Sequence, residues 1–120
     1  MAAGDWNPTI EQGATWTRTL TYADDGAPID LTGYTARMDI VDGVGRTILQ
    51  VDTTVGGLSI DGAAGTVTID LTPVQTSKLH ASPHHYNIEL VADPDPRSET
   101  AAVQRLIEGT ITVTRDWTKP

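Results

Sequence analysis

Three histidines occur within residues 80–85, and imidazole is a common metal ligand and acid–base group near neutral pH. Ser82-Pro83 separates His80 from His84 and His85, and a proline interrupts a helix. His80 and His84 therefore need not share a face, and no carboxylate nearby is spaced to orient a metal-bound imidazole. The pattern favours histidines on a loop surface, with no metal site and no cofactor.

A hydrolase would need a nucleophile, a base and an orienting group held close together. Ser82, His85 and Asp93 are the side chains near enough along the chain to supply these types. Ser82 precedes a proline and lacks the strand–turn–helix context in which a nucleophilic serine is exposed. We therefore expect no catalytic residues and interpret the protein as a non-enzyme.

Two further segments could be mistaken for ligand sites. Asp24 and Asp25 are adjacent, whereas a calcium loop alternates its oxygen donors along the chain. Gly43-Val44-Gly45 is rich in glycine, but no helix start follows it to bind a phosphate. We expect neither a metal nor a nucleotide at these positions.

The composition is that of a small acidic domain. A chain of 120 residues supports one core, which we place at residues 10–115, between an N-terminal arm at 1–9 and a C-terminal tail at 116–120. The net charge of −8, without clustered Lys and Arg, argues against nucleic acid and anionic membranes as partners. The sequence has no cysteine, no export signal and no apolar run of roughly 20 residues, which predicts a protein made in the cytoplasm without membrane spans.

The segment from residue 10 to residue 40 organises the predicted fold. Its first arm alternates between threonines and a second set, Trp16, Arg18, Leu20 and Tyr22. This period of two is typical of a strand with one covered face, and the second arm alternates in the same way. We predict that the two arms form one long β-hairpin with an irregular tip.

Further alternating segments follow, separated by glycine-rich turns at a spacing typical of a β-sandwich or barrel. Thr72-Pro73, followed by Gln75, has the pattern of a helix N-terminus with a capping box. It predicts one short helix near residues 73–79. Together these signals predict an all-β protein, an antiparallel sandwich of about seven strands with that single helix.

Candidate contact residues follow from location and side-chain type. Tryptophans in polar terminal segments are expected to pack, either within this chain or against a partner. The arginine on the apolar parity of the first strand can snorkel at the sheet edge or form an interfacial ion pair with Asp30. The proline-stiffened loop at residues 93–99 is long enough to reach a neighbour. The predicted contact residues are Trp6, Arg18, Asp30, Asp93, Asp95, Arg97 and Trp117.

Four segments of the sequence resemble sequences of a known protein family. They are residues 11–14 (EQGA), 18–21 (RTLT), 29–36 (IDLTGYTA) and 108–113 (EGTITV). Over most of its length the chain is similar to small β-rich virion proteins of tailed bacteriophages. The resemblance is to the N-terminal, virion-proximal domain of baseplate upper proteins and tail-fibre proteins, and Asp30-Leu31-Thr32-Gly33-Tyr34 is its most specific phrase.

The resemblance implies an immunoglobulin-like sandwich that serves as an attachment or adaptor module without catalytic residues. We therefore expect a structural protein of the phage virion, made in the host cytoplasm and present in many symmetric copies. It would attach fibres or neighbouring tail proteins at the tail or baseplate, with other phage structural proteins as partners. Because no fibre or coiled coil follows before Pro120, a capsid decoration protein is an alternative. A carbohydrate-binding module, with Trp6 or Trp117 stacking on sugars, is a second alternative.

Overall fold

The computed structural model describes residues 4–24, 26–80 and 83–115, and within these ranges the chain is an all-β sandwich with one short helix. The prediction of about seven strands is confirmed, since seven described strands have four or more residues. Asp25, Ser82, Trp117 and the predicted tail lie outside the described residues. The strands are β1 (Gly4–Asp5), β2 (Thr9–Glu11), β3 (Trp16–Thr21), β4 (Ala23–Asp24), β5 (Ala27–Pro28), β6 (Thr35–Val41), β7 (Thr47–Asp52), β8 (Leu58–Asp61), β9 (Thr66–Leu71), β10 (His84–Val91) and β11 (Val103–Thr114), and the helix is α1 (Pro73–Ser77).

The large sheet has the strand order β1-β11-β10-β6-β7, with β2 also paired to β11. β10 is antiparallel to both of its neighbours, β11 and β6. Its inward parity, Tyr86, Ile88 and Leu90, is buried, as the alternation predicts. β6 buries Met38 and Ile40 in the same way, so these two strands form the centre of the core.

The small sheet has the strand order β3-β9-β8, and both of its strand pairs are antiparallel. Val67, Ile69 and Leu71 of β9 are fully buried against the large sheet. β8 lies against β6 and β7, whereas β3 lies on the β11 side, where the Gln104 side chain donates to the Tyr22 hydroxyl. The two sheets therefore enclose one hydrophobic core.

The predicted long hairpin over residues 10–40 is wrong. β3 pairs with β9 in the small sheet, whereas β6 pairs with β7 and β10 in the large sheet. Residues 22–34 connect the two sheets, and the short pair β4–β5 forms a hairpin near the expected tip. Alternation identifies a strand and its buried face, but it does not identify the strand's partner, which the sandwich topology decides.

The helix α1 confirms the predicted capping box. Thr72 Oγ1 accepts a hydrogen bond from the Gln75 N–H at 3.2 Å, and Gln75 Oε1 accepts one from the Thr72 N–H at 2.9 Å. The buried Thr76 hydroxyl donates to the Ala14 carbonyl at 2.9 Å and accepts from the Gly13 N–H at 3.1 Å. The helix therefore fixes the corner at which the chain passes from β2 in the large sheet to β3 in the small sheet.

The described part of the segment predicted as an N-terminal arm contributes strands to the large sheet. β1 and β2 run parallel to β11 on the side away from β10. The Trp6 N–H donates to the Glu108 carbonyl at 3.0 Å, and Asn7 Oδ1 accepts from the Thr110 N–H at 2.9 Å. Gly109 permits this close approach, because a Cβ atom at that position would overlap the Trp6 carbonyl oxygen.

The pairing of β10 with β11 contains a β-bulge at Leu106. Ile88 pairs with Ile107, and Glu89 pairs with Arg105, so Leu106 is the extra residue and it is buried. The bulge changes the parity along β11. Ile107 lies opposite the buried Ile88, whereas Arg105 lies opposite Glu89 on the outer face.

Candidate interaction surfaces

The outer face of the large sheet carries a set of ionised side chains on neighbouring strands, which we call the charged face. It borders an open depression of about 810 Å³, to which Asp39, Glu89, Arg105 and Glu108 contribute. Alternation along each strand directs these side chains away from the core. The charged face consists of Arg37, Asp39, Asp52, Glu89, Arg105 and Glu108.

Ion pairs link the charged face across β6, β10 and β11. Arg37 Nε lies 3.0 Å from Glu89 Oε1, and Arg105 Nη2 lies 3.8 Å from Glu89 Oε2. Arg105 Nη1 also lies 3.3 Å from Glu108 Oε2. Partly exposed pairs of this kind contribute little each, about 0–1 kcal/mol, but together they restrain the side chains that they join.

Arg97 joins the loop after β10 to the charged face. Its Nη1 lies 2.9 Å from Asp39 Oδ1, and its Nε lies 3.2 Å from Asp52 Oδ2. Asp52 is only 4% exposed, and its Oδ1 also accepts from the N–H groups of Thr54 and Val55 at 2.8 and 2.7 Å. Burial alone would raise the pKa of Asp52, but these backbone donors and the guanidinium outweigh it and lower the pKa below its usual value.

The loop at residues 93–99, predicted to reach a neighbour, packs on its own sheet. Asp93 and Asp95 each form a local turn, because their Oδ1 atoms accept from the N–H groups of Asp95 and Arg97 at 2.8 and 2.9 Å. The Thr35 hydroxyl donates to the Asp93 carbonyl at 2.8 Å, and Pro96 is buried. Of the predicted contact residues in this loop, Arg97 lies on the charged face, and the two aspartates shape the loop that carries it.

The outer face of the small sheet is lined by hydroxyl groups and is the threonine face. The Thr17 hydroxyl donates to Asp70 Oδ1 at 3.0 Å, and the Thr19 and Thr68 hydroxyls are hydrogen-bonded at 3.1 Å. These pairs join β3 to β9 across the antiparallel register. Thr17 and Thr19 are exposed, so this face is polar without carrying a net of ion pairs.

Side chains from both sheets meet at a seam formed by Trp6, Trp16, Arg18, Leu20 and Tyr22. Trp6 stacks on Trp16 with 5.8 Å between ring centroids, and the Arg18 guanidinium lies 5.1 Å from the centroid of Trp16. Arg18 is exposed, and its Nη1 donates to the Thr17 carbonyl at 2.7 Å. Leu20 and Tyr22 are half-buried, so the seam is only partly closed.

Trp6, predicted as an anchor, packs within this chain. Its ring contacts Trp16 on one face and meets the Tyr86 ring edge-on, and its carbonyl accepts from the Tyr86 hydroxyl at 2.6 Å. Burial raises the pKa of the Tyr86 hydroxyl well above its ordinary value, and the nearby Asp5 carboxylate adds to the effect. The phenol therefore stays a hydrogen-bond donor. Trp16 covers one face of Trp6, and the Trp6 side chain is partly buried.

Asp30, another predicted contact residue, organises the turn before β6. Its Oδ1 accepts from the Thr32 hydroxyl at 2.6 Å and from the Thr32 N–H at 2.9 Å, as expected for an Asx-type turn. The Thr32 hydroxyl is the main cause of the lowered pKa of Asp30. Within the described part of the chain, no ion pair joins Asp30 to Arg18, so the structure does not bring these two predicted residues together.

The prediction that the three histidines lie on a loop surface is wrong for two of them. His84 and His85 belong to β10, where His84 is fully buried and His85 faces outward, whereas His80 is exposed. The proline that breaks the helix does not prevent a strand from starting one residue later. Among residues 4–24, 26–80 and 83–115, no group of three potential metal ligands is assembled.

Sequence reasoning did not single out Arg37, Asp39, Asp52, Glu89 or Arg105. The sequence does indicate that these strands have a polar outer face, because polar residues recur at every second position of β6 and β10. Their mutual contacts depend on strand order and register, which alternation does not specify.

Comparison with known proteins adds no assignment, since no family model matches the chain and no curated protein sequence is significantly similar to it. The helix that the described residues contain is too short to cross a membrane.

Proposed function

We propose that the protein is a structural, non-catalytic adaptor of a tailed-bacteriophage virion. It occupies the tail or baseplate in several symmetric copies and attaches fibres or neighbouring tail proteins through its outer surfaces. The residue-level resemblance motivates the assignment to a virion and, with it, the immunoglobulin-like label for the sandwich. A two-sheet all-β architecture is compatible with that label.

The observation that carries the adaptor role is the fixed geometry of the charged face. Arg97, Arg37 and Arg105 are each tied to carboxylates on neighbouring strands or loops while remaining partly exposed. A protein partner that binds there immobilises few additional side chains, so it loses less conformational entropy on binding. Exposed charges of both signs also favour a partner with the complementary pattern and steer its approach.

Contact through this face has a measurable signature. Partner association should slow as ionic strength rises, because screening acts mainly on exposed charges and shortens the Debye length to about 3 Å at 1 M salt. The charge-reversal variant Arg105→Glu should weaken the association. Exchanging Ser59 for alanine on β8 provides the matched control, because it alters an exposed side chain on the other sheet, away from β3, without changing charge.

The deciding experiment locates the chain in intact particles. A cryo-electron microscopy map of particles from cells that express the chain with a small C-terminal tag should show the tag at the tail or baseplate. Density over the head would replace the adaptor by a capsid decoration protein, and absence of the chain from purified particles would overturn the virion assignment.

A further inference from the structure

We propose that the open edge of β3 accepts an extended segment of another protein as an additional strand, and that Arg18 selects a carboxylate on that segment. The incoming segment carries apolar side chains at alternate positions and an Asp or Glu opposite Arg18. This inference rests on the proposed adaptor role, since it identifies how one neighbouring protein would be bound.

The backbone of β3 presents hydrogen-bonding groups to solvent. The Tyr22 N–H donates toward the β9 side, to the Gly65 carbonyl at 2.7 Å. Because N–H and C=O groups alternate in direction along an antiparallel strand, Thr17, Thr19 and Thr21 direct theirs away from β9. Across the described ranges, no strand pairs with β3 on that side. An extended segment can therefore continue the small sheet by β-augmentation.

The seam supplies places for the side chains of an added strand. Leu20 and Tyr22 lie on the core parity of the chain but remain half-buried, and the small sheet has fewer strands than the large one. Side chains of a strand beside β3 would alternate between solvent and the seam. Apolar residues at every second position would therefore cover Leu20 and Tyr22, while the intervening residues continue the threonine face.

Arg18 determines the charge of the partner. Within the described part of the chain Arg37, Arg46, Arg97 and Arg105 each have a carboxylate within ion-pair distance, whereas Arg18 has none. Its guanidinium instead donates to the Thr17 carbonyl, one of the groups that an incoming strand would use. A carboxylate on the incoming strand provides the ionic partner that draws Arg18 away from the edge.

A second copy of the chain is the less suitable occupant. Antiparallel pairing of two β3 strands about a two-fold axis would bring Arg18 close to its own counterpart, and like charges on paired strands are destabilising. Each copy also carries a net charge of −8, which adds to the repulsion. A core-parity charge on an edge strand is a known device against self-pairing, and here it leaves the edge available to a partner that neutralises it.

The test uses peptides that copy β9, the strand that already pairs with β3. In that pairing Ile69 lies opposite Arg18. Two synthetic peptides repeat residues 65–72, both with Asp70→Thr, and differ in carrying Ile69→Glu or Ile69→Lys. Binding to the full chain is followed by amide chemical shifts. The glutamate peptide should bind about tenfold tighter, a difference of about 1.4 kcal/mol, and should shift the amides of Thr17, Thr19 and Thr21 while β9 stays protected from exchange.

Variants of the protein make the test reciprocal. Arg18→Glu should reverse the preference, so that the lysine peptide binds tighter, and Arg18→Gln should abolish the preference if the reversed variant folds poorly. Arg46→Glu, in the turn at the far edge of the large sheet, should leave it unchanged. Equal affinities, no binding, shifts outside β3, or a concentration-dependent dimer formed through β3 would each overturn the proposal. These results do not depend on where the protein lies in the virion, which the cryo-electron microscopy map of the particles tests separately.

Discussion

The two sheets of the sandwich differ in how the chain covers their strand edges and outer faces. The large sheet covers one edge of β11 with β1 and β2, and the loop that carries Arg97 packs on its outer face through Asp39 and Asp52. In the described part of the chain, β3 of the small sheet is paired only on its β9 side, and this edge strand carries Arg18. The chain therefore pairs both edges of β11, whereas the described part of the small sheet leaves backbone hydrogen-bonding groups of β3 unused. This asymmetry separates a strand edge that the chain covers itself from one suited to pairing with another strand.

Removing Arg97 should have the largest effect on this comparison. Arg97→Met leaves Asp52 buried with its backbone donors but without its counter-ion, and should lower the free energy of unfolding by about 3 kcal/mol. Urea denaturation monitored by circular dichroism measures the change. On the other sheet, Thr19→Val should change stability by less than about 0.5 kcal/mol, because it lies on an exposed surface.

A second control tests whether the loss of stability comes from leaving a buried carboxylate unpaired or from removing any arginine of the charged face. Arg105→Met removes a half-exposed arginine of the same charged face and should cost at most about 1 kcal/mol. If Arg97→Met and Arg105→Met were equally mild, the loop would not be held by the buried carboxylate, and the distinction between the two sheets would lose its main support.

Uncovering the edge of β11 should have the next largest effect. Gly109→Ala places a methyl group against the Trp6 carbonyl and should destabilise the protein by about 2 kcal/mol, because the N-terminal segment must shift or detach. Amide exchange at Thr110 and Thr112 should accelerate if β1 and β2 leave the edge. Gly43→Ala is the matched control, since its added Cβ meets no atom within 4 Å and should be nearly neutral. Unchanged protection in Gly109→Ala would contradict the role given to this glycine. For the same reason, we expect deletion of residues 1–8 to lower the free energy of unfolding, because it removes the backbone that packs against Gly109.

Acid should weaken the large sheet through Asp52. The pKa of Asp52 is lower in the folded chain than its ordinary value of 3.8, so its ionised form favours folding. That contribution is fully present above pH 3.8 and is lost as the pH falls through the folded-state pKa. Asp52→Asn should therefore show a shallower loss of stability below pH 4 in urea titrations. The dependence should be reduced rather than abolished, since Thr32 and Arg46 donors also lower the pKa of Asp30 and Asp42. An identical acid profile in Asp52→Asn would exclude this carboxylate as the source.

The predictable part of the fold is the part encoded by neighbouring residues. The alternation in β9 and β10 and the capping box at Thr72 and Gln75 depend on residues at most a few positions apart, and each is found where the pattern places it. The prediction of the long hairpin is wrong because alternation predicts that both arms are strands but does not predict which strands they pair with. The charged face was missed for the same reason, since Arg97 lies far along the chain from Asp39 and Asp52.

By itself the sequence determined an acidic all-β chain, the buried parity of most strands and the start of its helix, because side-chain alternation and local hydrogen bonds need no distant partner. The tertiary structure alone decided which strands pair, that the N-terminal segment covers β11 and that Arg97 joins its loop to the large sheet. It also decided that, among the described residues, β3 is paired on one side only. These features depend on strand order and register, which are set by how the two sheets share one core.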